Sequence, residues 1–285
     1  MTAAEFIAPD VKLFRIEAPH IARKHQAGQF VILRVHPDGE RIPITIADSD
    51  PETGEITLIV QGIGRTTKDM NRKEKGDHLQ DLVGPLGTAT HIENWGRAVV
   101  VSGGVGTAEA LPIARAMKAA GNHVISIIGA RTKELVIAEQ LMAEICDEVI
   151  ITTDDGSYGT KGLVTTALEP IITGDQPPQM ILAVGPLPMM SAVADMTRPL
   201  GIKTVVSLNT IMIDGTGMCG GCRATVGGET VFVCVDGPEF DAHQVDFNEL
   251  RQRGSIYREH ERQSLDDFLE RCRLETAAEE TSKAR

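Results

Sequence analysis

Short apolar stretches separated by turn signals open the chain. Segments 11–18, 29–35 and 55–61 are rich in β-branched residues, with Gly28, Pro37-Asp38-Gly39 and Asp50-Pro51-Glu52-Thr53-Gly54 at their borders. That alternation predicts a small antiparallel barrel, with Gly84-Pro85-Leu86-Gly87 as the turn that ends it. From Arg97 the pattern changes. Arg97-Ala-Val-Val-Val-Ser102 is a continuous apolar run, as expected of a parallel strand buried on both faces. Strands at 123–128, 148–152, 180–184 and 203–207 alternate with helices at 108–120, 133–144, 161–169 and 188–198, which predicts a doubly wound parallel α/β sheet. Residues 223–234 then predict a hairpin turning at Gly227-Gly228. Residues 243–253 and 264–272 predict two short helices, the second with Leu265, Phe268 and Leu269 on one face. Residues 274–285 are polar and expected to fray. No internal repeat is present.

Composition narrows the classes. No apolar run in the 285 residues approaches the ~18–20 needed to span a bilayer. The start, Met1-Thr-Ala-Ala-Glu-Phe6, lacks a basic segment followed by an apolar one, so a cytoplasmic location is expected. The net charge of −12 argues against a nucleic-acid or anionic-membrane surface. Aromatic residues make up 4% of the chain and Trp95 is its one tryptophan, leaving few rings to stack on a planar cofactor.

Candidate chemistry concentrates near the C-terminal end. Three of the five cysteines fall within sixteen residues, in the order Asp214-x4-Cys219-x2-Cys222-x11-Cys234. Soft thiolates at short spacing suit zinc or iron–sulfur. The x4-then-x2 order is that of a plant-type [2Fe–2S] site, with aspartate where the first cysteine normally sits. Glycines at 215, 217, 220 and 221 let such a loop fold its amides back onto the sulfurs. A zinc knuckle remains the other reading, although structural zinc prefers Cys or His. A disulfide is disfavoured in a reducing compartment. Cys146 is read as a buried, inert thiol, and Cys272 as a plain thiol on a charged helix.

Two further groups of residues point to nucleotides. Arg41, Pro43, Thr45 and Ile46 lie on one extended segment, where an arginine, a rigid proline and a hydroxyl can align against a flat ligand carrying a diphosphate. Gly62-Ile-Gly64-Arg-Thr66-Thr67 then opens a polar helix, a ready anion site. In the second half, Gly103-Gly104-Val-Gly106-Thr107 ends the first parallel strand and reads as the pyrophosphate loop of a nicotinamide nucleotide. The full G-x-G-x-x-G is broken, because Glu109 occupies its third glycine position. Other strand ends carry Arg131, Asp155 and Gly185-Pro186. Met189 and Met190 are read as core fillers. Arg131 does not by itself choose NADPH over NADH.

This order of motifs resembles the ferredoxin–NADP reductase superfamily, in the branch with a C-terminal cluster. Two kinds of member compete there: the electron-transfer subunit of dihydroorotate dehydrogenase, and the small (alpha) subunit of NADH-dependent reduced ferredoxin:NADP oxidoreductase, also known as a sulfide dehydrogenase subunit. The first type has four cysteines and an Arg-Pro-x-Ser stretch. The second resembles this chain in its aspartate ligand and in Arg-x-Pro-x-Thr-x-x-Asp, here Arg41 to Asp48. The resemblance implies an FAD-binding barrel over 1–95, an NAD(H)-binding α/β domain over 96–210, a [2Fe–2S] segment with its hairpin over 211–250 and a helical tail over 251–285. It implies that Thr45 lies near the reactive flavin nitrogen, and that Arg41, Gly64, Thr66 and Thr67 hold the diphosphate. Gly103, Gly104, Gly106 and Thr107 would hold the dinucleotide, and Asp214, Cys219, Cys222 and Cys234 the irons. No side chain need act as acid or base. The implied partner is a larger subunit with a bifurcating FAD and [4Fe–4S] clusters that handles NADPH and ferredoxin. Rival classes are a zinc-containing nucleotide-binding module and a free-standing flavin reductase.

Overall fold

A computed structural model describes the backbone of residues 1–283 and the side chains of 1–275. The first half forms β1 (Ala3–Ala8), β2 (Val11–Glu17), α1 (Pro19–Ala22), β3 (Phe30–Arg34), β4 (Arg41–Asp50), β5 (Glu55–Gln61), α2 (Arg65–Met70) and β6 (Asp81–Leu86). Its strands make one antiparallel sheet in the order β1-β2-β5-β4-β3-β6. The sheet curls around Phe14, Val31, Leu33, Ile46, Ile56 and Leu58, all fully buried. Gly84-Pro85, expected as a turn, instead lies inside β6. A bulge between Phe30 and Ile32 absorbs it, and proline is tolerated there because β6 is an edge strand with no ladder partner beyond it. Lys12 is buried under this sheet, with its ammonium on the carbonyls of Asn71 and Lys73 and on Glu74.

The second half runs β7 (Arg97–Gly103), α3 (Gly106–Ala119), β8 (His123–Ala130), α4 (Glu139–Ile145), β9 (Glu148–Thr153), β10 (Thr160–Lys161), α5 (Val164–Thr173), β11 (Met180–Val184), α6 (Leu187–Thr197) and β12 (Lys203–Ser207). The expected helix 133–144 is split. A single 3-10 turn at Lys133–Leu135 gives way to α4 at Ala138, which adopts φ 56. The expected helix 161–169 starts later, at Val164, because 160–161 pair with β9. After an irregular loop come the hairpin β13 (Arg223–Val226) and β14 (Glu229–Phe232), the short α7 (Val233–Asp236), β15 (Glu239–Asp241), α8 (Phe247–Arg253) and α9 (Arg258–Lys283). The expected helix 243–253 is thus the shorter α8, and 264–272 is the middle of a 26-residue helix. The tail expected to fray is helical as far as Lys283, and its last two residues lie outside the described ones.

β15 was not foreseen as a strand. It pairs antiparallel with β12, completing a seven-stranded sheet in the order β10-β9-β8-β7-β11-β12-β15. One core then runs from Phe30 and Ile32 of β3, across the face of this sheet covered by α5 and α6, to Cys222, Val233 and Cys234. A second seam packs Val11, Ala47 and Ile59 against Ala108 and Ile137, and the Arg115–Asp48 ion pair, 2.8 Å, closes its rim. α9 returns to α2, where Arg72 donates to Cys272 Sγ at 2.6 Å and to Glu275 at 3.1 Å. Cys272 is therefore a hydrogen-bond acceptor rather than a plain thiol. Cys146 is half-buried, and burial pushes its thiol up to about 11.

His25 donates to or accepts from Ser49 at 2.8 Å through Nδ1, while its Nε2 is buried without a partner. Burial pushes the ring down to about 4, against the attraction of Asp48. A depressed folded value means that stability is complete above the ordinary 6.5 and is lost as pH falls toward 4. Denaturant titrations are expected to lose on the order of 2 kcal/mol across that window, after allowance for the solvent-exposed part of the ring. His25→Phe is expected to flatten the loss. Equal slopes for the two proteins would rule out this origin.

Candidate functional site

β7 and β11 are neighbours, yet the chain extends from β7 toward β9 on one side and from β11 toward β12 on the other. Their carboxyl ends mark the switch point where open α/β sheets take ligands. Val184 is level with Ser102 there, and both strands turn on glycine. A Cβ on Gly106 would lie 2.6 Å from the Val184 carbonyl oxygen, so α3 starts against β11 only because that atom is missing. Gly104, at φ +56, has nothing within 4 Å of its absent Cβ. A ligand backbone can come close to Gly104.

A cleft of about 850 Å³ opens at this point between the barrel and the sheet, a volume suited to a cofactor. The barrel contributes Pro43, Thr45 and Thr67, and the sheet contributes Gly103, Gly104, Gly106, Arg131, Gly185 and Pro186. No aromatic side chain lines it among the described residues. Met190 is buried as expected, whereas Met189 faces the cleft.

The remaining sequence candidates lie elsewhere. Ile46 is in the barrel core. Thr107 is buried, with its hydroxyl 3.1 Å from Ser102 Oγ. Asp155 closes its own turn, accepting from the amide and hydroxyl of Ser157 at 2.9 and 2.7 Å, while its neighbour Asp154 lines the cleft. Arg41 is exposed at the start of β4. Thr66 donates to Glu40 at 3.0 Å. Gly62 and Gly64 flank Ile63 at the cleft edge, and the Ile63 and Gly64 amides donate to Thr67 Oγ1 at 3.1 and 3.0 Å. That hydroxyl already satisfies the amides that begin α2, so a diphosphate there would have to displace it.

Two acids escaped the sequence reading. Glu109 lines the cleft and accepts from Ser207 Oγ, with the Thr45 hydroxyl as a second partner. Burial pushes it up to about 7, and the two hydroxyls pull the other way. By surface area it is only half-buried; the cleft walls desolvate it without sealing it off. Glu239 on β15 accepts from Thr90 Oγ1 at 2.5 Å. Burial pushes it to about 7 as well, and the charge of Glu109 adds to the shift. The available signal for Glu109 was its misfit to the glycine fingerprint.

The cysteine loop leaves β12 past Ser207 and Asn209, both on the cleft wall. A Cβ on Gly215 would lie 2.6 Å from Leu86 and 2.8 Å from Ile32, so the loop rests on β6 and β3. Ile32 and Phe30 pair with Pro43 and Thr45, which puts the loop one strand away from those cleft residues. Asp214 accepts from the Thr216 and Cys219 amides, both at 2.8 Å, and these bonds hold its carboxyl below the usual range. The Gly221 amide donates to Cys219 Sγ at 3.4 Å. Burial, then contact with Cys222, pushes the Cys234 thiol up to about 12. Among the described residues no three metal-ligating side chains converge on one point. Asp214 contacts Cys219 and Cys222 contacts Cys234, and the charge of Asp214 also reaches Cys234. A [2Fe–2S] unit gives each iron two bridging sulfides and two protein ligands, so paired donors with amides on the sulfurs fit it.

Comparison with known proteins agrees with this division. Residues 1–91 match the oxidoreductase FAD-binding domain, and 209–246 match the iron–sulfur cluster binding domain of dihydroorotate dehydrogenase B. The chain is 46% identical over 263 residues to a Thermotoga maritima homolog of the dihydroorotate dehydrogenase B (NAD(+)) electron transfer subunit, covering 92% of this chain and 93% of the relative. It is 34% identical to that subunit from Geobacillus thermodenitrificans, over 79% of this chain and 88% of the other. A chain of the NADH-dependent reduced ferredoxin-NADP oxidoreductase, solved for insight into flavin-based electron bifurcation, superposes with a TM-score of 0.88. It is 45% identical, with 93% of this chain and 96% of that one covered. Phthalate dioxygenase reductase, at 18% identity and TM-score 0.56, shares the fold.

The Gly106 contact yields a test. Gly106→Ala is expected to cost about 1–3 kcal/mol, because backbone cannot yield as a side chain end would. Thermal melts of the wild type and the variant measure it; superimposable curves would mean that α3 does not depend on this approach.

Proposed function

Because the chain belongs to the family of dihydroorotate dehydrogenase B electron transfer subunits and their homologues, we propose that it is the FAD- and [2Fe–2S]-bearing electron-transfer subunit of an NAD(P)H–ferredoxin oxidoreductase of the bifurcating transhydrogenase type. The observation that carries this reading is the adjacency of the switch-point cleft to a loop that presents one carboxylate and three thiols, one strand from Thr45. Asp214 at the first ligand position, and a structural likeness of 45% identity, favour this assignment over a dihydroorotate-oxidising complex.

A flavin bound in the cleft would supply chemistry that takes electrons singly and passes them in pairs, as hydride. The protein's part is placement. Pro43 and Thr45 present a rigid edge and a hydroxyl to the cleft, and the exposed Arg41 two residues before Pro43 would pair with phosphate. Gly104 leaves open space for a dinucleotide backbone at the start of α3, while Gly103, Gly106 and Gly185 let the strand ends, α3 and Met189 pack closely beside it. Asp214, Cys219, Cys222 and Cys234 would hold the irons. A carboxylate donates less charge to ferric iron than a thiolate does, so Asp214 would raise the cluster potential, as weaker donors do in Rieske centres.

The partner is a larger flavin and [4Fe–4S] subunit that reacts with NADPH and ferredoxin. Met218, Ile213 and Val235 are 87%, 52% and 40% exposed around the cysteine loop, an apolar surface of the kind that partner subunits cover. No helix among the described residues is long and apolar enough to cross a membrane.

The purified protein is expected to be red-brown, with about two irons and one FAD per chain. Cys222→Ser is expected to lose iron and keep flavin. Colourless protein containing zinc would overturn the reading, and a yellow protein whose activity survives loss of Cys219 would make it a simple flavin reductase. In a redox titration, Asp214→Cys is expected to have a lower cluster midpoint than the wild type. An equal or higher midpoint removes the tuning role of the carboxylate.

A further inference from the structure

The cleft holds a carboxylic acid pair that the proposed placement of cofactors leaves idle. Glu109 stands on the first turn of α3, where its carboxylate accepts from Ser207 of β12 and meets the hydroxyl of Thr45 of β4. Behind it, Glu239 of β15 lies within electrostatic reach and accepts from Thr90. Two strands of the parallel sheet and one of the barrel therefore converge on one helix-borne carboxylate. Of the other ionisable side chains lining the cleft, Arg131 follows β8, and Asp154 follows β9, two strands from β7. Asp48 and Arg115, the charged pair nearest on β4 and α3, satisfy each other. Glu109 is left as the cleft group able to gain or lose a proton beside Thr45.

We propose that Glu109 is the proton-holding residue of the cleft, exchanging a proton with Thr45 Oγ1 while Ser207 orients it. This inference rests on the reading that the cleft holds a flavin next to an iron–sulfur loop. Its chemical basis is a balance. A hydride is two electrons and one proton. Electrons delivered singly by an iron–sulfur centre bring no proton, so every hydride assembled from two of them and passed to NAD+ takes one proton from the protein. Every hydride from NADH that is split into two single electrons returns one. When Glu109 gives up its proton, Thr45 Oγ1 receives it and releases its own hydrogen into the cleft. The Glu109 carboxylate is then reprotonated from solvent through the cleft that it lines and to which it is half-exposed, and the nearby charge of Glu239 favours that uptake. Burial sets both acids to titrate near neutral pH, where a group can both hold and release a proton. Their like charges also oppose full ionisation of the pair. Glu109 acts through Thr45 and is a positioning residue in this scheme.

The experiment uses holoenzyme whose flavin and iron contents have been measured; absence of either refutes the functional reading, not the role of Glu109. Infrared titration is expected to show a protonated carboxyl band that fades as pH rises through about 7, is absent from Glu109→Gln and is displaced in Glu239→Gln. Steady-state rates are then followed in both directions against pH. NAD+ reduction by reduced methyl viologen needs the acid form, so its rate falls as pH rises through that value. NADH oxidation by ferricyanide needs the base form, so its rate climbs. Glu109→Gln is expected to lose both bends and to slow NAD+ reduction by ~100-fold, whereas Glu109→Asp keeps the opposed slopes. Bends that persist in Glu109→Gln, or an infrared band that survives it, overturn the proposal. The infrared arm decides the protonation of Glu109 even if a variant fails to retain its flavin.

Discussion

Everything functional in this chain depends on one apolar continuity. Phe30 and Ile32 belong to the barrel by hydrogen bonding and to the parallel sheet's core by packing. The same core includes Cys222, Val233 and Cys234. Barrel, sheet and loop therefore share buried side chains, where three separately packed units would need only surface contacts. Close packing leaves little freedom for such parts to slide. The relation between the cleft and the cysteine loop is thereby set by the interior, and the polar rim, with its Arg115–Asp48 pair, adds little by comparison.

Within that frame, the strand ends decide what the cleft can do. Glycine at 103, 104, 106 and 185 removes side chains from one wall, leaving backbone and space where the switch point needs them. Glu109 is the exception in this wall. It occupies the place at which the nucleotide fingerprint has its third glycine, and its partners come from both halves of the chain. A position that usually serves close helix–strand packing carries a charge-bearing group here, and two hydroxyls are arranged to receive it.

Much of the fold was legible because it follows from burial pattern. The run 97–102 reads as a strand because both of its faces are covered, and the glycine-bounded segments of the first half read as barrel strands for a related reason. What stayed hidden was set by tertiary context. β1 is an edge strand with exposed side chains, and β15 is three residues long with a glutamate at its start, so neither shows a period. Ala138 breaks a good helical pattern by adopting a left-handed conformation that its identity does not announce. The site was half legible. Thr45, Pro43 and the glycines face the cleft as motif spacing suggests, but Thr107 and Asp155 spend their polar atoms locally. Ser207 and Glu239 carry no motif at all, since what matters is which strand ends they share.

β15 gives the cysteine loop a mechanical character. The chain leaves the sheet at β12 and re-enters it at β15, which pairs with the same β12. The loop is thus a span anchored at both feet in one rigid slab, unlike a carrier module swinging on a hinge. Its two ends therefore move with one strand pair, so the thiols keep their station relative to the sheet.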